Sequence, residues 1–177
     1  MNYELRRVAR ARSVRLRVRH DGSILVTAPK RVSLRFVEAF VAQNATWIER
    51  ALAKARTRRA ALPPDLTQTS SLHYLRYKER ARQVARQKVA QWNAHLGFTV
   101  ESIRVKRTRT QWGSCSTNKI LNFNYKLLFL DEPLQDYIVI HELAHLRHMN
   151  HSPEFWALVE SLCPNHRECR RQLKEMA

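Results

Sequence analysis

Tyr137-Ile138-Val139-Ile140-His141-Glu142-Leu143-Ala144-His145-Leu146-Arg147-His148 carries an H-E-x-x-H motif at His141, Glu142 and His145. On a helix, positions i and i+4 share one face, about 6 Å apart along the axis. Two imidazoles so placed can grip one zinc ion, and Glu142 beside them can take a proton from a water on that ion. With 8 His and 11 Glu in 177 residues, the bare pattern would arise by chance roughly 0.02 times. The flanking residues argue against a surface helix that merely carries two histidines. Leu134, Tyr137, Ile138, Val139 and Ile140 are apolar nearly all round, as in a helix buried within a domain. Polar groups ending such a helix need a partner.

A catalytic zinc takes three protein ligands and leaves one position for water. His148 lies about 10 Å along an unbroken helix from His141, too far to share an ion held by His141 and His145. Asn150-His151-Ser152-Pro153 is a stop signal after which a turn can swing His151 back. His151 is therefore the expected third ligand, with Glu154, Glu160 and His166 as rivals. His148 reads as a supporting or surface group.

The run from His141 to Trp156 resembles the signature of the YgjP-like metallopeptidase family, relatives of the SprT-like proteases. Gln111-Trp112-Gly113-Ser114-Cys115-Ser116 resembles it too, followed by a strand with Asn122 and Asn124, as do the N-terminal hairpin and the helix start at Val32 to Val37. The resemblance covers most of the chain. It implies an α+β fold: a zincin-like metallopeptidase domain with an N-terminal β-hairpin and helix subdomain and a helical H-E-x-x-H core. It also implies one Zn2+ per chain on His141, His145 and His151, with Glu142 as catalytic acid and base.

The net charge is +17, unevenly spread. Residues 1–60 hold 15 Lys+Arg against 4 Asp+Glu, residues 61–110 hold 10 against 3, and residues 111–177 hold 7 against 8. The basic two thirds suggest a polyanionic partner, nucleic acid first, met by sequence-independent backbone contact; a solvated basic face is the plainer alternative. Arg15, Arg17 and Arg19 with Arg104, Lys106, Arg107 and Arg109 are the expected phosphate-binding set. No uncharged run reaches the roughly 18 residues of a membrane span, and no N-terminal segment reads as a signal peptide. Cys115, Cys163 and Cys169 form no C-x-x-C pair, which fits a reducing cytoplasm and ordinary thiols rather than a second metal site.

Val14, Leu16 and Val18 alternate with arginines, and Asp21-Gly22 turns that strand into Ser23 to Ala28. Ser33 caps a helix with Val37, Phe40 and Val41, and a second helix runs through Trp47, Ile48 and Leu52. Pro63-Pro64 marks a boundary between residues 1–62, basic hairpin and helices, and 63–177, catalytic, unless the two form one continuous domain. A basic helix spans Leu72 to Leu96, closed by Gly97. Phe98 to Lys106 and Lys119 to Phe129 read as strands. Asp131, Glu132 and Pro133 open the metal helix, and helices Phe155 to Leu162 and His166 to Glu175 end the fold.

Gly113 lies near no helix end, so it either permits close backbone approach or makes a tight turn with positive φ. Thr110 to Ser116 is the expected substrate edge, with Trp112, Gly113, Asn124 and Tyr125 as substrate-binding candidates. Tyr125, Asn124 and His148 are candidate oxyanion partners, and Cys115 is structural. Two functions compete. One is a zinc-dependent metallopeptidase acting on polypeptide. The other is a metal-dependent hydrolase of a phosphorylated small molecule such as a nucleoside triphosphate. A binding protein with purely structural zinc would not need Glu142.

Overall fold

The computed structural model describes residues 2–19 and 21–176, with Arg58 described in its backbone alone. The chain forms two compact units, Met1–Leu62 and Pro63–Ala177.

The first unit holds β1 (Glu4–Val8), β2 (Arg15–Val18), β3 (Ile24–Pro29), α1 (Leu34–Gln43) and α2 (Ala45–Ala61). β3 is central: β2 pairs with it antiparallel and β1 parallel. Gly22 supplies the turn between β2 and β3 with φ +82°, a conformation that glycine reaches without steric cost. Arg15 and Arg17 are exposed while Leu16 and Val18 pack on a core of Val26, Ala28, Val37, Val41 and Ile48. Arg19 is tied to Glu4 at 2.8 Å. β1 is absent from the sequence reading because its alternation breaks at Arg7. The Arg7 side chain is half-buried, and its guanidinium donates to the carbonyls of Pro29 and Val32. Ser33 caps α1 by accepting from the Phe36 amide.

The second unit holds α3 (Pro64–Thr67), α4 (Ser71–Asn93), β4 (Ser102–Lys106), β5 (Gly113–Cys115), β6 (Ile120–Asn124), α5 (Glu132–Ala144), α6 (Pro153–Leu162) and α7 (His166–Met176). β6 is central, parallel to β4 and antiparallel to β5, so β5 presents a free edge. Both strands are shorter than expected. Asn93 brackets Phe98, giving its amide to the Phe98 carbonyl and accepting from the Phe98 N–H, which leaves Phe98 hooked to the end of α4. The Asn124 carboxamide accepts from the Lys126 N–H, and residues Tyr125–Phe129 coil into a 3-10 helix instead of extending β6.

α5 is buried along nearly its whole circumference, through Leu134, Tyr137, Ile138, Val139, Ile140, Leu143 and Ala144. It packs against α4, α6, α7 and β5. Its first turns are clamped to α4: the Lys88 ammonium lies 2.6 Å from Glu132 and 2.8 Å from Asp136, and the Trp92 indole N–H donates to Asp136 at 2.9 Å. Burial opposes the Lys88 charge, but hydrogen bonds and charges from Asp136 and Glu132 outweigh it and raise its pKa. No helix among the described residues is long and apolar enough to cross a membrane.

Lys88→Ala strips Asp136 and Glu132 of their cation. It is expected to lower unfolding stability by about 2 kcal/mol, read from urea denaturation. An unchanged midpoint would mean that α5 is held without this clamp.

Candidate metal centre and active site

α5 ends at Ala144, and the chain unwinds at once: Leu146, Arg147 and His148 turn back onto Leu143 and Ala144 through backbone hydrogen bonds. The stop therefore comes six residues before Asn150. Asn150 to Pro153 instead opens α6, where the Ser152 hydroxyl accepts from the Phe155 N–H and Pro153 occupies the first turn. A short return between two helices is what brings His151 to the H-E-x-x-H face.

The donor nitrogens of His141, His145 and His151 all lie within 4.8 Å of one another. Ring centroids are 4.9 Å apart for His141 and His145, 5.1 Å for His141 and His151, and 4.8 Å for His145 and His151. The His145 Nδ1 is 3.0 Å from the His148 carbonyl oxygen. An Nδ1–H donating there leaves the Nε2 lone pair free for a metal. His148 thus acts through its backbone, orienting a neighbouring imidazole. The Nε2 atoms of His141 and His151 approach to 3.1 Å. Two lone pairs at that distance repel unless a shared cation or proton lies at their meeting point, so the donor set fits a metal. Burial first, then the neighbouring His145 and His151 and Arg170, pushes the His141 pKa down to about 3. Burial also lowers that of His145. Neutral imidazole is the form that ligates metal.

Phe155 is fully buried and lies under all three rings, with centroids 5.0 Å from His141, 4.6 Å from His145 and 4.8 Å from His151. Trp156 stacks on His151 at 5.5 Å and 22°. The sequence reading placed both in the family-like run but gave neither a role at the site. Both directly follow the Ser152-Pro153 helix start, so the first turn of α6 was bound to sit beside His151.

Glu142 is 5% exposed, and burial pushes its pKa up to about 8. Its Oε2 is buried with no hydrogen-bond partner among the described residues. Gly113 on β5 explains how the carboxyl fits. A Cβ at Gly113 would lie 2.5 Å from Glu142 Oε1 and 2.8 Å from Cδ. The close approach reading of this glycine is therefore the structural one, and its φ is not positive.

Trp112, Gly113, His141, Glu142, Arg170 and Lys174 line one cleft of about 240 Å³. The Trp112 indole N–H donates to the Leu173 carbonyl at 3.3 Å, joining the β5 approach to α7. Asn124 and Tyr125, expected at the cleft, are not brought there. Asn124 is buried, and its amide donates to the Thr108 carbonyl and hydroxyl and to the Gln111 carbonyl, which pins the loop before β5. Tyr125 is fully buried among Tyr74, Tyr77 and Phe129, with its hydroxyl on His73 and on the Gln68 carbonyl. Glu154 and Glu160 stand exposed outside the cluster, and His166 stacks on Trp156 instead. Cys163, His166 and Cys169 form no metal-holding group among the described residues.

The YgjP-like metallopeptidase domain family matches residues 12–76 and 74–176. Among solved structures, the metallopeptidase zymogen of Pyrococcus abyssi abylysin is 25% identical, spans 50% of this chain and 90% of its own, and superposes with a TM-score of 0.47. The metallopeptidase zymogen of Methanocaldococcus jannaschii jannalysin is 22% identical over 52% of this chain and 94% of its own, with a TM-score of 0.40. No curated protein matches. With the family's match running almost end to end over a fold that gathers three imidazoles beside a buried glutamate, the chain belongs to the YgjP-like metallopeptidases.

Proposed function

We propose that this metallopeptidase is a zinc enzyme in which His141, His145 and His151 hold the ion and Glu142 is the general base. The observation that carries the proposal is the meeting of three imidazole donors within 4.8 Å of one another, one of which, His141, shares a cleft with Glu142, whose buried Oε2 has no hydrogen-bond partner among the described residues. Three nitrogen donors with room for a fourth group suit Zn2+. When bound, the ion polarises the scissile carbonyl, acidifies the attacking water and favours the ionised form of Glu142. Glu142 Oε2 accepts the water proton as attack proceeds and passes it to the leaving amine. Phe155 keeps bulk water from the far side of the imidazoles, and the His148 carbonyl fixes the His145 ring. The free edge of β5 offers an extended peptide a strand to pair with, next to Glu142. That edge favours a polypeptide over a phosphorylated small molecule, which would have no use for it. The unit Pro63–Ala177 is proposed as the catalytic domain, and the basic surface of the first unit as a separate, sequence-independent contact for polyanions.

His151→Ala should abolish stoichiometric zinc, while Glu160→Ala retains it. Metal analysis of the purified variants decides between them, and the reverse result would overturn the ligand set. Glu142→Gln should retain zinc and fold yet lose peptide hydrolysis by about a thousandfold. Full activity would remove Glu142 as the base.

The same variant tests burial of the acid in metal-stripped protein. Unfolded, Glu142 ionises near 4.5; folded, it holds its proton up to about 8. Between those values the folded state binds more protons, so its contribution to stability falls as pH rises. Glu142→Gln removes that loss. Its urea midpoint should gain on the parent's steadily from pH 4.5 to 8 and level off above. Parallel curves would contradict the raised pKa.

Gly113→Ala places a methyl group against the Glu142 carboxyl. It should lower kcat by about a hundredfold through displacement of the base, with zinc content unchanged. Retained kcat would mean that β5 yields without disturbing Glu142.

A further inference from the structure

The wall of the cleft opposite β5 is a face of α7, and it is cationic. Arg170 and Lys174, at i and i+4, both line the space beside Glu142. Neither forms an ion pair among the described residues. The acids of the same helix are committed elsewhere. Glu168 binds the Arg171 guanidinium through both oxygens, at 2.6 and 2.8 Å, and Glu175 lies 3.7 Å from it. Like charges four residues apart on a helix oppose its stability, and the position of Lys174 in the last turn, where the helix dipole favours a cation, works against that cost. Arg170 is also held in place. Its guanidinium lies 5.0 Å from the centre of the Trp156 ring, the ring that stacks on His151. One end of the cationic pair is thus anchored to the metal cluster itself. Glu142 is the one acid lining the cleft, and it is buried and shielded by β5.

We infer that Arg170 and Lys174 form a carboxylate subsite, which selects peptides carrying an Asp or Glu side chain, or a free C-terminal carboxylate, close to the scissile bond. This rests on the reading that Glu142 and the β5 edge mark where the bond is cut. An extended chain advances about 3.3 Å per residue, so a carboxylate within about two residues of that bond falls beside α7. Arg170 would meet it through its planar fork and Lys174 as a mobile point charge. The pair sets specificity and takes no part in the chemistry.

The test uses the zinc-loaded full chain and peptides of one neutral parent sequence, acetylated at the N-terminus. One set is amidated at the C-terminus and carries a single Glu, Gln or Lys stepped through the positions flanking the cut. A second set keeps the neutral sequence but ends in a free carboxylate at stepped distances. The expected result is a kcat/KM about tenfold higher with the carboxylate at one position than with Gln there, shrinking as salt is raised. The set that shows the gain identifies the source, side chain or terminus. Lys174→Glu and Arg170→Gln should each reduce the gain, read as the ratio of kcat/KM for the Glu peptide to that for the Gln peptide within the same variant, and Lys174→Glu should shift preference toward the Lys peptide. Lys174 is exposed and unpaired, so its exchange leaves the fold intact. Equal kcat/KM for the Glu, Gln and free-carboxylate peptides overturns the subsite, as does a gain that survives both variants. Cleavage of none of the peptides overturns the peptidase mechanism beneath it, which is a different result from indiscriminate cleavage.

Discussion

Desolvation of one helix governs this molecule. α5 is enclosed by α4, α6, α7 and β5, and its apolar residues leave it no solvent-facing side. Onto that helix the sequence places Glu142 at 5% exposure and two half-buried imidazoles. Polar groups so buried cost free energy unless something satisfies them. The structure answers part of this demand: Lys88 meets the acids of the first turn and the His148 carbonyl meets His145, whereas the facing His141 and His151 nitrogens call for a shared cation. Two atoms remain unanswered in this region, His141 Nδ1 and Glu142 Oε2. The second of these is the atom that the proposed mechanism uses as its base.

Support for the site comes from residues outside the three imidazoles and Glu142. Gly113 clears space for a carboxyl that any larger residue on β5 would displace. Asn124 staples the loop from Thr108 to Gln111, and its own N–H donates to the Trp112 carbonyl at 2.8 Å, so the strand edge next to Glu142 is set from behind. Phe155 gives three imidazoles a common floor. Because each support arrives from a different element, the cleft depends on the packing of the whole second unit rather than on one loop.

The H-E-x-x-H helix, the hairpin and the long basic helix were legible because each rests on a local rule: apolar residues round a helix, a turn with Gly22, and Gly97 with φ +63° just past the helix, which ends at Asn93 rather than Leu96. His151 was legible because a turn had to follow His145, although the helix ends at Ala144 and Asn150 to Pro153 begins the next one. What the sequence hid depends on tertiary context. β1 carries an inward arginine that only the Pro29 and Val32 carbonyls make acceptable. Tyr125 looks like a cleft residue beside Asn124, but the 3-10 turn sends it into an aromatic cluster. Gly113 lines the cleft. Its neighbour, the Glu142 carboxyl, lies 29 positions away in sequence, so no local pattern could name the contact.

The shifts at the centre have opposite signs and one electrostatic consequence. Burial drives His141 down to about 3 and Glu142 up to about 8, and both changes remove charge from the protein. Near neutral pH the buried His141 and Glu142 of the metal-free protein are therefore uncharged, in a cleft that Arg170 and Lys174 also line. A dication entering such a place meets little competing water, and its field acts at low effective dielectric. The first group to respond is Glu142, whose proton is held only by desolvation. In the proposed mechanism, loss of that proton converts the carboxyl from a passive filler of the space over Gly113 into the base. Burial thus couples two events: the cavity that makes Glu142 neutral without metal also makes its ionisation depend on metal.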